Sequence, residues 1–182
     1  FKPTPSQHAT YKYFYAAILL FLIQVLAGVL TVHDFVGFTV FFGYDLRELL
    51  PVTITRGWHV QLSLLWISAC WIGASFFIAP LLCKKEPANH IRFVNTIFIL
   101  IAILIAGSMF GIYAGPMGIV ENWYFLGNQG WEYVEPGKLW QGILLLVFLL
   151  WFITLYRALR PVITLKQPWA MPNWLVYTTG SI

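Results

Sequence analysis

Few residues in this chain can do chemistry, and the one in the least comfortable place is His59. It stands in RGWHVQLSLLWISACWIGASFFIAPLLCKK, a stretch bounded by an arginine and two lysines with no formal charge between them. An ionisable side chain inside so apolar a run is costly in lipid and usually has a use there. A neutral imidazole can be an axial ligand of haem iron. It can equally lean towards the interface beside Trp58, and position alone leaves both open. Arg56 precedes His59 by three residues and so shares its helical face. Its guanidinium fork suits a haem propionate, or serves as an ordinary interfacial anchor. Gln61 and Ser63 add polar groups to the same turns, and Ala69 and Gly73, four apart, offer a small-residue face for close helix packing.

His33 closes the preceding apolar run, and a haem held between His33 and His59 is the alternative that sequence placement allows. Gly37 and Phe41 follow at four and eight residues, so the three would share a face if that helix continued. His8 and His90 fall at the other ends of their runs and are expected to be solvated. No adjacent histidine pair, no His-x-x-x-Tyr and no histidine triad occurs, so the sequence offers no copper or non-haem iron site of its own. Cys70 and Cys83 are thirteen apart on one expected helix. That is roughly 20 Å along its axis, too far for a disulfide.

The elements that must position these residues are membrane helices. The 182 residues are 59% hydrophobic, 18% aromatic and 10% charged, which excludes an ordinary soluble domain. Charge-free runs predict spans at about 13–33, 57–83, 93–116 and 139–159, each close to the roughly 20 helical residues a bilayer core requires. The run 167–182 is too short to span and carries Pro168 and Pro172, so it is expected to open a fifth helix. The expected fold class is therefore all-α, a polytopic membrane helix bundle of four spans plus the start of a fifth, forming one membrane domain over residues 1–182. Phe1 is not an initiator methionine and no signal-peptide pattern precedes the first run, so the chain is expected to be part of a longer polypeptide.

The net charge of +4 reports topology rather than a nucleic-acid partner, because the cations sit at span ends. Lys2, Lys12, Lys84, Lys85, Arg92, Arg157, Arg160 and Lys166 fall on one side, against Arg47, Arg56 and Lys138 on the other. The positive-inside rule puts the N-terminus of this segment in the cytoplasm. Six of the seven acidic residues, Asp34, Asp45, Glu48, Glu121, Glu132 and Glu135, then lie outside. "YDLRELL" could lie as an interfacial helix, and "KKEPANHIR" joins the second and third helices as antiparallel neighbours. The outer loop after the third helix carries Trp123, Tyr124, Trp131, Tyr133 and Trp140 among glycines and glutamates, which suits an aromatic belt or a cap over a cofactor.

The run TPSQHATYKYFYAAILLFLIQVLAGVLTVHDF, then FFGYDLRELLP, TRGWHVQLSLLWI, FIAPLL and GNQGWEYVEPGKLWQGILLLVFLLW, resembles the quinol-dependent nitric oxide reductases of the haem-copper oxidase superfamily. The likeness covers almost the whole chain and keeps several motifs in order. It implies a partial haem-copper-oxidase-like catalytic subunit in a prokaryotic cytoplasmic membrane, reducing two NO to N2O with low-spin haem b, high-spin haem b and non-haem iron. By the family's R-x-W-H-x-Q-L motif, His59 would be an axial ligand of the low-spin haem. The second ligand, the high-spin haem and the iron would be held by the rest of the same catalytic subunit. By the family's G-x-Q-G-[YW]-E-Y motif, Glu132 would bind a calcium bridging haem propionates, with Glu135 behind it; oxygen ligands suit such a cation.

The departure is at the quinol site. The family pattern His-x-x-x-Glu-x-x-x-Phe is matched by His33 and Phe41, but Gly37 replaces the glutamate and cannot accept a proton. Asp34 could substitute for the lost carboxylate, although it belongs to another helical face. Asn128, where the family often has histidine, is a second departure. These departures raise the alternative of a nitric oxide dismutase, which makes N2 and O2 without an external donor; the residues alone would support no more than a non-catalytic haem b membrane subunit.

Overall fold

In the computed structural model the described residues are 2–37, 39–83, 85–120, 123–128, 135–164 and 166–181, with the side chains of residues 34, 35 and 123 not described. Four long helices dominate: α1 (Pro5–Val36), α2 (Val52–Cys83), α3 (His90–Ala114) and α5 (Lys138–Leu159). All four are long and apolar enough to cross a membrane. Two short helices, α4 (Trp123–Leu126) and α6 (Met171–Gly180), complete the set, and no strand occurs among the described residues. The expected all-α membrane bundle is what the chain forms.

Each span is longer than its charge-free run where local capping extends it. Thr4 caps α1 reciprocally with Gln7, the Gln7 amide reaching Thr4 Oγ1 at 3.3 Å while the Thr4 amide reaches Gln7 Oε1 at 2.9 Å. Pro5 then fills the first helical position without losing a bond. At the far end Gly37 adopts φ 60°, a left-handed cap that ends α1. Lys12 is carried inside α1 because its ammonium bonds Asn95 Oδ1 and sits 4.8 Å from the Phe98 ring centre. The segment expected as an interfacial helix forms a single 3-10 turn, Leu46–Glu48, capped by Asp45.

Helices α1, α2, α3 and α5 run alternately up and down. The register is fixed at both ends. Tyr13 of α1 meets Gly73 and Phe76 of α2 near one end, and its hydroxyl donates to the Val94 carbonyl of α3 at 2.7 Å. Near the other end Trp58 Nε1 of α2 donates to the Met109 carbonyl of α3 at 2.9 Å. Trp151 of α5 donates to Ser75 Oγ of α2 at 2.8 Å, both side chains being buried. In lipid such interhelical bonds and close packing, rather than water exclusion, hold helices together, at roughly 0.6–2 kcal/mol per bond. The core they enclose draws on all four spans, with Tyr13, Ile72, Phe76, Ile97, Ile101 and Trp151 among its members.

Gly107 and Gly111 of α3 form a small-x-x-x-small groove filled by a side chain rather than by a helix. A methyl group at Gly107 would lie 2.0 Å from the Trp140 ring, and one at Gly111 would lie 2.3 Å from the Leu126 carbonyl. Trp140 thus plugs α5 into α3 while donating to Leu126 O at 2.6 Å.

One expectation fails at the cationic end. His90 is not solvated but 2% exposed. Pro80 has no N–H to give the carbonyl of Phe76 one turn earlier, and the His90 ring turns inward to donate to that carbonyl.

Candidate functional site

His59 lies seven residues inside α2, which starts at Val52 rather than at the edge of the charge-free run. At the helical rise that is about 10 Å of helix, two turns from its start. Trp58 and His59 face different partners: Trp58 turns to α3, stacking on Tyr113 at 6.3 Å, while His59 turns to α1.

On α1 the imidazole meets two residues four apart, Gln24 and Gly28. His59 Nδ1 is 2.9 Å from the backbone carbonyl oxygen of Gln24. The Gln24 side-chain nitrogen is 3.2 Å from Nδ1 and 3.4 Å from Nε2. Both contacts to Nδ1 cannot be hydrogen bonds, since one needs a proton on that nitrogen and the other a lone pair. The shorter one, to the carbonyl, is the bond we assign, so Nδ1 carries the proton and Nε2 presents its lone pair. Gly28 makes the approach possible, because a Cβ there would lie 2.7 Å from Nδ1 and 2.8 Å from Cε1.

A backbone carbonyl on one ring nitrogen is how proteins fix the tautomer and orientation of a metal-binding histidine. Among the described residues no three His, Cys, Asp or Glu side chains gather into a metal site. What the arrangement offers is one oriented imidazole lone pair, which is the kind of ligand a porphyrin iron takes from a protein. Gln24 and Gly28 were not singled out in the sequence, although an amide in the middle of LLFLIQVLAGVL, four residues before a glycine, was a visible signal.

Arg56 is exposed in the second turn of α2, three residues before His59. Glu132 lies outside the described residues. Glu135 is exposed beside a neck where Asn128 and Pro136 form an isolated antiparallel bridge and the Gly137 amide donates to the Gly127 carbonyl at 2.7 Å. Gln141 braces that neck by donating to Pro136 O at 2.9 Å.

The structure does not bring His33, Gly37 and Phe41 onto one helical face. The helix stops at Val36, and Phe41 lies beyond it in a 3-10 turn, 86% exposed. His33 Nε2 accepts the Thr39 backbone amide at 2.7 Å, which folds the chain back over the helix end. Nearby, Asp45 pairs with the Arg47 guanidinium at 2.6 Å, and the side-chain and backbone bonds from Arg47 hold its carboxyl down at about 2.

A polytopic helix bundle with a preoriented imidazole inside one span defines a membrane protein equipped for a metal or porphyrin ligand. The family model described as cytochrome c and quinol oxidase polypeptide I matches residues 8–182, and the chain belongs to that family. Its class is that of the haem-copper oxidases, oxidoreductases that bind haem and metal in the membrane. No curated protein matches the chain. The residues present fit the haem that the family implies, because His59 has a fixed tautomer, a lone pair on Nε2 met only by the Gln24 amide nitrogen at 3.4 Å, and a glycine-lined seat.

Proposed function

We propose that this chain is part of the membrane core of a quinol-type nitric oxide reductase, reducing two NO to N2O, with His59 as an axial ligand of its low-spin haem b. The observation that carries the site is the Gln24 carbonyl on His59 Nδ1, 2.9 Å away, which leaves Nε2 to bind iron. The choice of reductase within the family rests on the ordered motifs from TPSQHATYKYF to GNQGWEYVEPGKLW.

Haem held there supplies a one-electron carrier. The chain's own part is positional. Gln24 sets the imidazole proton, Gly28 admits the ring, and Trp58 fastens that turn of α2 to α3. Arg56 is assigned to a haem propionate, and Glu132 with Glu135 to a calcium beside the propionates. The second axial ligand, the high-spin haem b and the non-haem iron belong to the rest of the subunit.

A nitric oxide dismutase is the second reading. It is favoured by the quinol end, where Gly37 supplies no carboxylate and His33 Nε2 is already taken by Thr39 N–H. Two experiments test these readings. His59→Ala should abolish the low-spin haem signal of the reduced spectrum while the protein still inserts, and an unchanged spectrum refutes the ligand assignment. Isotopically labelled NO should yield labelled N2O alone from a reductase, or N2 with O2 from a dismutase. Turnover of O2 with none of NO would overturn both.

A further inference from the structure

The cationic end of the bundle holds a cavity that the haem site does not use. It measures about 170 Å³ and is lined by Pro87, Ala88, His90 and Phe93 at the start of α3 and by Thr154 and Arg157 near the end of α5. Pro87, Ala88 and Arg157 also line a neighbouring cavity of about 420 Å³, which extends past Cys83, Lys85 and Pro161.

Three features converge on this space. The α3 N-terminus has no side-chain cap bond and no acidic residue in its first turn, so no side chain compensates the positive end of its dipole, although the His90 and Arg92 amides already donate to Pro87 O and Asn89 O. Arg157 holds its guanidinium 4.8 Å from the Phe93 ring centre and has no carboxylate partner among the described residues. His90, 2% exposed, leaves Nε2 with no hydrogen-bond partner. The ring already donates to the Phe76 carbonyl, so its one proton is committed and the orphan nitrogen is an acceptor. Glu86 lines the larger neighbouring cavity, where its Oε1 accepts the Ser6 amide at 3.0 Å.

A ligand for this cavity therefore needs an anionic group for Arg157 and the helix end, and a hydrogen-bond donor for His90 Nε2. We propose that it binds the headgroup of a phospholipid whose phosphate pairs with Arg157 and whose own hydroxyl or ammonium donates to His90, phosphatidylglycerol being the simplest example. The location supports lipid as the source, since the cavity sits where two membrane spans end and its walls include Phe93 and Pro161. Phosphatidylcholine carries the phosphate but no donor, and inorganic phosphate carries both without a lipid chain.

The test uses the purified, delipidated protein in detergent, with bound lipid counted by native mass spectrometry as lipid is titrated in. Phosphatidylglycerol should be retained about tenfold more tightly than phosphatidylcholine, and Arg157→Gln should weaken phosphatidylglycerol about tenfold, as loss of a charge-assisted pair predicts. Lys138→Gln at the opposite end should leave retention unchanged, which separates the site from net charge. Equal retention by Arg157→Gln and the parent, or equal retention of the two lipids, overturns the proposal. Displacement of phosphatidylglycerol by inorganic phosphate at similar concentration would assign the cavity to free phosphate and overturn the lipid assignment.

Discussion

The carbonyl oxygen of Gln24 stands 2.9 Å from Nδ1 of His59, across an interface in which Gly28 leaves no room for a side chain. The bond and the gap depend on each other. Without the glycine the ring could not reach the carbonyl, and without the carbonyl the ring would have no fixed tautomer. A helix that gives its backbone carbonyl to a side chain of its neighbour makes the neighbour's orientation a property of helix packing.

Gly28→Ala should therefore disturb the site without touching any polar group. Its Cβ would fall 2.7 Å from Nδ1, and overpacking of this kind costs about 1–3 kcal/mol. Gly142 of α5 faces open space, so Gly142→Ala should instead gain about 0.5–1 kcal/mol of helix stability. Thermal unfolding in detergent reads the opposite signs, and the low-spin haem band should diminish in Gly28→Ala alone. An intact band in Gly28→Ala would separate His59 from the haem.

The positions of the four spans were legible because charged residues are rare, but their ends were not. Charge-free runs stop at Lys12 and Arg56, whereas the helices continue to Pro5 and Val52, since a capping box and a side-chain amide partner matter more there than formal charge. His59 was legible as an ionisable group in an apolar run. Gln24 and Gly28 as its partners were not, because α1 is apolar on every side and only the α1–α2 register, set by Tyr13 against Gly73, says which residues face the ring. His90 was misjudged for a related reason: its partner is a carbonyl opened by Pro80, ten residues earlier on another helix.

Ser75→Ala tests the bond between α2 and α5. It removes the acceptor for Trp151 Nε1 at 2.8 Å and leaves that N–H buried. The loss should be about 1 kcal/mol, in the range of interhelical bonds in lipid, and should lower the unfolding midpoint. Thr at the same position keeps the hydroxyl and should recover most of it. Equal midpoints for the alanine and threonine variants would show that packing alone holds the indole.

The Asp45 carboxyl, held at about 2 by its bonds from Arg47, lies below the ordinary 3.8. A folded value below the unfolded one means that the contribution of the pair is present above the unfolded value and is lost as pH falls through about 2. Carbon-13 labelling of aspartate should show the Asp45 carboxyl shift moving only near that pH. Arg47→Gln should return the midpoint towards 3.8; a midpoint there in the parent protein would show that the pair does not form. Lying at the surface, with the side chains 45% and 30% exposed, the pair should leave the thermal midpoint at neutral pH nearly unchanged.

Gly37→Glu restores the carboxylate that the reductase pattern carries at this position, and we expect it not to restore quinol oxidation. Gly37 sits at φ 60°, where a side chain costs about 1–2 kcal/mol, so the variant should be slightly less stable than the parent. Helix α1 ends at Val36, which removes the helical turn that would align the new carboxylate with His33 and Phe41. His33 Nε2 is bonded to the Thr39 amide at 2.7 Å and would have to give up that contact to bind a quinol hydroxyl. On the dismutase reading, steady-state oxidation of a soluble quinol with NO present should be absent from the parent and from the variant. Brisk turnover by the parent would count against the dismutase reading. Turnover gained only by the variant would show that the glycine, rather than the fold of the turn, had disabled the site.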